Sequence, residues 1–255
     1  MHSKHGDMLA QLPLVIGHRG SPGIAQENSM EGFTLALANG ADGVELDVVS
    51  LADGSIVVLH PASLRSPLTP STTRFELSCQ LGRNPEDLCL VLGQLPQHAT
   101  VFIEFKRCGF SHELGCEREL AEAIRATGRV KSAWVHSSDP WFLACLQKEC
   151  PDLMTALILS PLNCHDAAVT ALRLSDRFTG FSVSGSLFSL HLREVVAKMN
   201  RAMIVWTVDE LDELLTHMDA ATPVDMIITN VPDRAVSIRT AAMERARAQI
   251  VGRVS

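Results

Sequence analysis

Eight short runs rich in valine and isoleucine alternate with eight longer amphipathic segments along the 255 residues of this chain. The short runs are bounded by glycine, proline or polar residues, which is typical of strands, and the segments between them have helical spacing. Strict alternation favours a parallel sheet whose strands are joined by crossover helices. Eight such units in about 250 residues predict one domain over residues 1–255, folded as a closed (β/α)8 barrel, the TIM-barrel architecture.

The pattern also predicts where each element lies. The predicted strands are Leu14–His18, Gly43–Val49, Thr100–Lys106, Ala133–His136, Met154–Leu159, Gly180–Val183, Ala202–Val208 and Asp225–Thr229. The predicted helices are Ser29–Ala38, Pro85–Leu95, Glu113–Thr127, Pro140–Lys148, Ala167–Leu174, Leu190–Met199, Glu210–Met218 and Arg234–Ala248. An open, doubly wound sheet is the alternative, but the glycine-rich fingerprint of dinucleotide-binding folds is missing after the first strand.

One segment interrupts the alternation. Val44–Leu51 and Ser55–His60 are both strand-like, and the turn residues Asp53 and Gly54 lie between them. This arrangement predicts a β-hairpin after the second strand, whose returning arm brings His60 back to the mouth of the barrel.

Charge and composition exclude several classes of protein. The formal net charge of −7 argues against a nucleic-acid-binding protein, which would carry a basic excess or stripe. No stretch approaches the roughly 20 apolar residues of a transmembrane helix, and the polar start predicts no export signal, so the expected location is the cytoplasm. The seven cysteines form no Cys-x-x-Cys pair, which favours free thiols over a disulfide framework.

Charged side chains gather near the predicted carboxyl ends of the strands, where active sites of such barrels lie. Glu45 and Asp47 are two residues apart, so both point to the same face of their strand, as do Glu104 and Lys106. Three carboxylates facing a barrel interior are costly unless they are paired or bind a cation. Because all these ligands are oxygens, the sequence predicts one divalent cation, Mg²⁺ or Ca²⁺.

The remaining polar residues complete a predicted site for phosphoryl chemistry. Arg19 can hold a phosphate oxygen, and Lys106 adds a second positive charge. Two histidines, His18 and His60, can serve as base and acid near neutral pH. The predicted partner is a small-molecule phosphodiester, and the sequence gives no prediction of the oligomeric state.

An ordered series of motifs links these residues to a known family. The motifs are Gly17-His18-Arg19-Gly20, Glu27-Asn28-Ser29, Gly40–Val48, Asp53-Gly54 with His60, Ile103–Lys106, Val205–Asp209 and Ile227–Asp233. Together they resemble the glycerophosphodiester phosphodiesterase family. The resemblance implies a (β/α)8 barrel and metal-dependent hydrolysis of a glycerophosphodiester to an alcohol and glycerol phosphate.

Carried over by motif, the resemblance assigns eight residues: Glu45, Asp47 and Glu104 to the metal, His18 and His60 to acid–base catalysis, Arg19 and Lys106 to the phosphate, and Trp206 to the substrate pocket. It also raises the hypothesis that a neighbouring hydroxyl of the substrate attacks first and forms a cyclic phosphate. Glu27 fits a helix start and the site equally well. The other histidines are predicted to be structural, with His136 at a strand end as the foremost exception.

The chain departs from the family pattern at Pro61, where the family usually has aspartate after the second histidine. Two alternatives therefore stay open. The stretch from His60 to Glu104 is short for the region that usually forms a cap over the mouth in this family. This short cap region favours a bulkier substrate, as in a lysophospholipase D-like enzyme. Pro61 favours a barrel that binds phosphate without catalysis.

Overall fold

A computed structural model describes residues 12–113, 115–218 and 224–254. Its strands are β1 (Leu14–Gly17), β2 (Gly43–Ser50), β3 (Ile56–Val58), β4 (Glu86–Asp87), β5 (Thr100–Phe105), β6 (Ala133–Ser137), β7 (Met154–Leu159), β8 (Gly180–Ser184), β9 (Ala202–Trp206) and β10 (Met226–Thr229). Its helices are α1 (Met30–Ala38), α2 (Arg74–Leu81), α3 (Leu88–Gln94), α4 (Cys116–Ala126), α5 (Pro140–Glu149), α6 (Ala167–Arg173), α7 (Leu190–Lys198), α8 (Leu211–His217) and α9 (Pro232–Val254).

Eight of the strands close into the predicted parallel barrel. The order around it is β1, β10, β9, β8, β7, β6, β5 and β2, and β2 pairs with β1 to complete the ring. The (β/α)8 prediction is therefore confirmed, and the open-sheet alternative is wrong. The first eleven residues, which carried the prediction of no export signal, lie outside the described residues, and the single-domain prediction over residues 1–255 stays a prediction.

The segment between β2 and β5 contains more structure than the sequence predicted. β3 pairs antiparallel with the end of β2, and β4 pairs antiparallel with β3. The helix predicted over Pro85–Leu95 begins only at Leu88, because the preceding residues Glu86 and Asp87 form β4. Helix α2 was not predicted, although Thr73 and Glu76 form a capping box at its start, a signal that the sequence does contain.

An apolar plug fills the barrel interior beneath the mouth. Its members come from six of the eight barrel strands: Ile16, Phe102, Trp134, Ala156, Ile204, Met226 and Ile228. The rings of Phe102 and Trp134 stack with centroids 5.5 Å apart. Because side chains two residues apart share a face, Glu104 and His136 lie directly above these two rings. The plug therefore forms the floor on which the polar site stands.

A small separate core supports the excursion between β2 and β5. Six buried residues form it: Val49, Leu51, Val57, Leu59, Leu68 and Leu77. The Leu59 amide donates to the carbonyl of Asp47, so the chain that leads to His60 is attached to the strand that carries the acidic residues. This attachment fixes where His60 enters the mouth.

Among the described helices, none has both the length and the apolar character of a membrane span.

Away from the mouth, one buried histidine predicts a pH effect on stability. His217 is 4% exposed, its Nδ1 has no hydrogen-bond partner within the described residues, and it packs edge-on against Phe188. Burial lowers the pKa of His217 below its ordinary 6.5. Below pH 6.5 His217 binds a proton more readily in the unfolded chain than in the folded one, so the free energy of unfolding falls as the solution is acidified.

We expect the His217→Leu variant to lose less stability than the wild type between pH 7.5 and 5.5. The difference should be at most about 1.4 kcal/mol, because the lower pH lies only one unit below the ordinary pKa of 6.5. Urea denaturation at the two pH values measures this. The exposed His98, changed to leucine, should keep the wild-type pH dependence. An unchanged slope in His217→Leu would contradict the assignment.

Candidate active site

The strand register places three polar side chains at one level of the barrel. Asp47 on β2 is paired with Glu104 on β5, and Glu104 is paired with His136 on β6. Residues in register on neighbouring parallel strands point to the same side of the sheet, so all three face the barrel axis. Glu45 lies two residues before Asp47 on the same face, which adds a second carboxylate from β2.

Glu45 lies at the centre of the site and is 1% exposed. One carboxylate oxygen, Oε2, accepts from the Arg19 amide at 3.0 Å and lies 3.8 Å from Nε2 of His18. The other, Oε1, lies 3.7 Å from Nε2 of His136. Burial alone raises the pKa of Glu45, but the contact with His136 and the charge of His18 outweigh it and lower the pKa to about 2. Glu45 is therefore an anion at any physiological pH.

Asp47 holds the cationic side chains of the site together. Its Oδ2 accepts from the Asn28 side chain at 3.0 Å and lies 3.0 Å from Nε of Arg19, and its Oδ1 lies 3.2 Å from Nζ of Lys106. The Asn28 side chain also accepts from the Asp47 amide at 3.0 Å, so the two residues are bonded twice. Both carboxylate oxygens of Asp47 are thus occupied by contacts with side chains of the protein. Asp47 was predicted as a metal ligand, and that role stays a prediction.

Arg19 follows β1 with an unusual backbone. Its φ is 52°, in the left-handed region that most side chains avoid. The bond from its amide to Glu45 and the bond from the Asn28 amide to its carbonyl hold this conformation. The guanidinium Nη1 lies 2.9 Å from Glu27, which places Glu27 in the site rather than only at a helix start. Arg19 is thereby presented at the mouth with a fixed orientation.

His18 is oriented by a chain of hydrogen bonds from the last barrel strand. Its Nδ1 lies 2.7 Å from Oδ1 of Asn230. The Asn230 side-chain amide donates to Asp209 at 2.6 Å, so its oxygen must face His18. The neutral form of His18 therefore carries its proton on Nδ1, which leaves Nε2 as an acceptor near Glu45.

His60 lies two residues after the end of β3, and Pro61 begins a short 3₁₀ helix over Pro61–Ser63. Nδ1 of His60 accepts from the Ala62 amide at 3.3 Å, so the neutral ring carries its proton on Nε2. Burial lowers the pKa of His60, and the charges of Asp47, Arg19 and Lys106 also act on it. Pro61 thus starts the turn that fixes the His60 ring.

Glu104 and Lys106 form an ion pair across the end of β5. Nζ of Lys106 lies 2.5 Å from Oε1 of Glu104. Burial raises the pKa of Glu104, and burial alone would lower that of Lys106, but the charges of Glu104 and Asp47 raise the pKa of Lys106. Lys106 therefore stays charged while it faces two carboxylates.

One group of side chains in the described residues has the spacing of a metal site: the ligand atoms of Glu45, Glu104 and His136 lie within 4.8 Å of one another. These three residues are called the ligand group below. Two of the atoms, Oε1 of Glu45 and Nε2 of His136, are buried without a hydrogen-bond partner. Buried polar atoms without partners are unfavourable, so this donor set fits a divalent cation.

Trp206 ends β9 and packs, partly buried, against the apolar plug from above. Its indole N–H has no partner within the described residues. The side chain therefore borders the same space as the polar site, as the predicted pocket role requires, and that role stays a prediction.

Comparisons with known proteins link the sequence around this site to one protein family. The model of the glycerophosphoryl diester phosphodiesterase family matches residues 18–74, which include the first histidine, Glu45, Asp47 and His60. A glycerophosphodiester phosphodiesterase from Caldanaerobacter subterraneus is 26% identical over 245 residues, covering 88% of this chain and 97% of the relative. These matches show that the chain resembles the glycerophosphodiester phosphodiesterase family. A Bacillus altitudinis member is 46% identical over 50 residues, which cover 20% of each protein.

Solved structures of glycerophosphodiester phosphodiesterases have the same fold. The enzyme from Thermotoga maritima superimposes with a TM-score of 0.72 at 23% identity, covering 89% of this chain and 98% of that one. A phosphodiesterase from Oleispira antarctica, solved in complex with the product sn-glycerol-3-phosphate, gives a TM-score of 0.71 at 20% identity, covering 91% and 98%. At these identities the likeness bears on the fold.

Sequence reasoning missed the residues that orient the site. Asn28, Asp209 and Asn230 lie within the motifs, yet no pattern in one sequence says that they bond to Asp47 and His18. For His136 a signal exists, because it stands at the carboxyl end of its predicted strand, where Glu104 stands in the preceding one. Because the carboxyl ends of barrel strands carry the reactive groups, a histidine at such an end is as good a candidate site residue as a carboxylate.

Proposed function

We propose that this protein is a phosphoric diester hydrolase that cleaves glycerophosphodiesters to an alcohol and glycerol phosphate. The observation that carries the proposal is the meeting of His18, Arg19, Glu45 and Lys106 at one mouth with the excursion that delivers His60. The resemblance to the glycerophosphodiester phosphodiesterases supports the same reaction class. Two cationic side chains suit a phosphate, and two imidazoles suit the two proton transfers of an in-line displacement.

In this proposal His18 is the base and His60 the acid. Nε2 of His18 is an acceptor because Asn230 binds the proton on Nδ1, so it can take the proton of the attacking hydroxyl. His60 carries a proton on Nε2 and, once protonated on both nitrogens, can donate from there to the leaving oxygen. A substrate hydroxyl as the attacking group, giving a cyclic phosphate, stays a hypothesis that trapping of a cyclic product would support.

Arg19 and Lys106 are proposed to bind the phosphate. Both now face Asp47, which holds them side by side at the mouth. A diester phosphate provides a competing anion for the same two cations, and the guanidinium can meet it with two parallel N–H donors. Trp206 is proposed to line the pocket for the glycerol or headgroup side.

A divalent cation is proposed to bind at Glu45 and Glu104. The motif also predicts Asp47 as a ligand, although its two oxygens already face Asn28, Arg19 and Lys106. When bound, such an ion would act as a Lewis acid that neutralises charge on the phosphoryl oxygens. The carboxylates alone predict Mg²⁺ or Ca²⁺.

The hydrogen bonds that run from Asp209 through Asn230 to His18 allow a test of His18 as the general base. We expect Asn230→Ala to lower kcat by about 100-fold, because general-base catalysis contributes roughly 10²–10⁴ and depends on the correct tautomer. KM should change little, since Asn230 contacts no residue assigned to the phosphate. Steady-state kinetics on glycerophosphocholine measure both constants. A purely structural role would instead lower the melting temperature and leave kcat of the folded enzyme intact.

A second substrate class is favoured by the surface around the mouth. Large apolar side chains in three segments that follow barrel strands are exposed: Ile24 after β1, Trp141 in the first turn of α5 after β6, and Leu162 after β7. An apolar rim suits the acyl chain of a lysophospholipid, the bulkier substrate that the short cap also favours.

A substrate panel separates these proposals. The wild type is assayed with glycerophosphocholine and lysophosphatidylcholine, with added divalent cation. A higher kcat/KM for glycerophosphocholine supports the leading proposal, and a higher value for lysophosphatidylcholine moves the assignment to the lipid substrate. No turnover of either, with metal bound, contradicts both and favours the phosphate-binding barrel.

A further inference from the structure

His136 occupies a position in the site that the two-histidine reaction does not use. It is 2% exposed, lies at the same barrel level as Glu104, and stands on the apolar plug with its ring edge-on to Phe102. A buried imidazole facing two carboxylates is either a charged partner for them or a ligand for an ion that they share. The contacts of its two nitrogens favour the second possibility.

Nε2 of His136 points at the carboxylates without bonding to them. It lies 3.7 Å from Oε1 of Glu45, beyond hydrogen-bond distance, and both atoms are buried with no hydrogen-bond partner in the described part of the chain. A charged pair in such a site would close to about 2.8 Å. Metal–ligand bonds of about 2.1 Å place ligand atoms about 3–4 Å apart around one ion. The spacing within the ligand group, up to 4.8 Å, is near that range and needs only small side-chain movements.

The other nitrogen of His136 is hydrogen-bonded, as the second nitrogen of a metal-binding histidine usually is. Nδ1 lies 3.1 Å from the hydroxyl of Ser182 on β8, which is fully buried. When the hydroxyl accepts the proton on Nδ1, the lone pair of Nε2 is left directed at Glu45 and Glu104. A hydrogen bond of this kind fixes both the tautomer and the orientation of a ligating imidazole.

We propose that Nε2 of His136 is a direct ligand of the cation bound by Glu45 and Glu104, and that this nitrogen makes the site favour Co²⁺- or Zn²⁺-like ions over Mg²⁺ and Ca²⁺. The inference rests on the proposed function for the presence of a cation and adds its class. Imidazole suits borderline transition metals, whereas Mg²⁺ and Ca²⁺ prefer all-oxygen sites. The expectation of Mg²⁺ or Ca²⁺ came from carboxylates alone and lacked this nitrogen.

The same geometry gives Asp47 a role other than metal binding. With His136 as third ligand, Asp47 remains bonded to Asn28 and paired with Arg19 and Lys106, as observed. It then positions the phosphate-binding cations. Replacing Asp47 by asparagine should therefore affect substrate KM more than the preference between metals.

Metal titration of the full-length protein, stripped with chelator, tests the proposal without any turnover. Isothermal titration with Co²⁺ and with Mg²⁺ gives the ratio of the two affinities, and pulsed EPR of bound Mn²⁺ reports a directly coordinated nitrogen. We expect a nitrogen coupling in the wild type that is lost in His136→Ala. The Co²⁺:Mg²⁺ affinity ratio should fall at least about 10-fold, since even outer-shell partners of metal ligands are worth about 10–100-fold.

Two further variants keep the test decisive. Ser182→Ala leaves the imidazole in place and should weaken Co²⁺ binding by about 10-fold through the lost orientation. The exposed His98, changed to alanine, should leave both the coupling and the ratio unchanged. Absence of nitrogen coupling in the wild type with Mn²⁺ bound, or an equal loss of both metals in His136→Ala, would overturn the proposal. A wild type that shows the coupling yet hydrolyses no diester would refute the proposed function and leave this inference standing.

Discussion

Replacing Glu45 by glutamine is expected to lower turnover at least about 100-fold and to remove most of the metal affinity. Glutamine keeps the shape of the side chain and an oxygen for the Arg19 amide, but it removes the charge that faces His18, His136 and the cation. Losing a partner of a metal ligand already costs about 10–100-fold in affinity or activity, so losing a ligand should cost more.

Kinetics on glycerophosphocholine and calorimetric metal titration measure the two effects of the Glu45 change. Glu122→Gln is the matched control, because Glu122 lies on the exposed face of α4 and pairs only with Arg118 among the ion pairs of the described residues. It should keep wild-type kinetics. A Glu45→Gln protein that binds metal and turns over at the wild-type rate would show that the site lies elsewhere.

The second large effect concerns stability rather than chemistry. Arg129 is fully buried and has no carboxylate partner among the described residues; its guanidinium donates instead to four carbonyls, those of Leu92, Leu95, Pro96 and Ala99. These carbonyls lie between the last turns of α3 and the start of β5, and the Pro96 carbonyl also accepts from the Ala99 amide. Arg129 therefore joins the end of one helix to the start of the next barrel strand.

We expect Arg129→Met to lower the free energy of unfolding by about 3 kcal/mol or more, because several buried carbonyls lose their donor at about 1–3 kcal/mol each. For a chain of this size the melting temperature should fall by roughly 6–12 °C. Urea denaturation and calorimetry measure both quantities. Arg118→Met, at a side chain 70% exposed, should stay within about 0.5 kcal/mol of the wild type. Equal stability of the two variants would contradict the account of Arg129.

The barrel was predictable because hydrophobic periodicity follows directly from which faces are buried. Strand ends such as Leu14 and Thr229 were predicted where the structure has them. Helix α2 was missed because its apolar pattern is weak and only Leu77 is buried along it. Tertiary packing of the small excursion core decides that segment, and a single sequence does not reveal such packing.

The candidate site was predictable to the extent that strand position fixes direction. Glu45, Asp47 and Glu104 were predicted to face one interior from their spacing, and the register brings them together. The pairing of Asp47 with Arg19 and Lys106, and of His18 with Asn230, depends on contacts between residues far apart in the chain. Periodicity carries no information on such contacts, which is why the orienting residues emerge only in three dimensions. His136 is marked in the sequence by its place at a strand end, but its contact with Glu45 is not.

The most direct test of the account is phosphorus NMR of glycerophosphocholine incubated with the wild-type protein, first stripped of metal with chelator and then reloaded with divalent cation. The account predicts no change with the stripped protein, and release of glycerol phosphate from the diester once the ion is restored. Hydrolysis at the full rate by the stripped protein would contradict the metal-dependent site at Glu45, Glu104 and His136. No release from the reloaded protein, with the ion bound, would contradict the assignment as a phosphodiesterase.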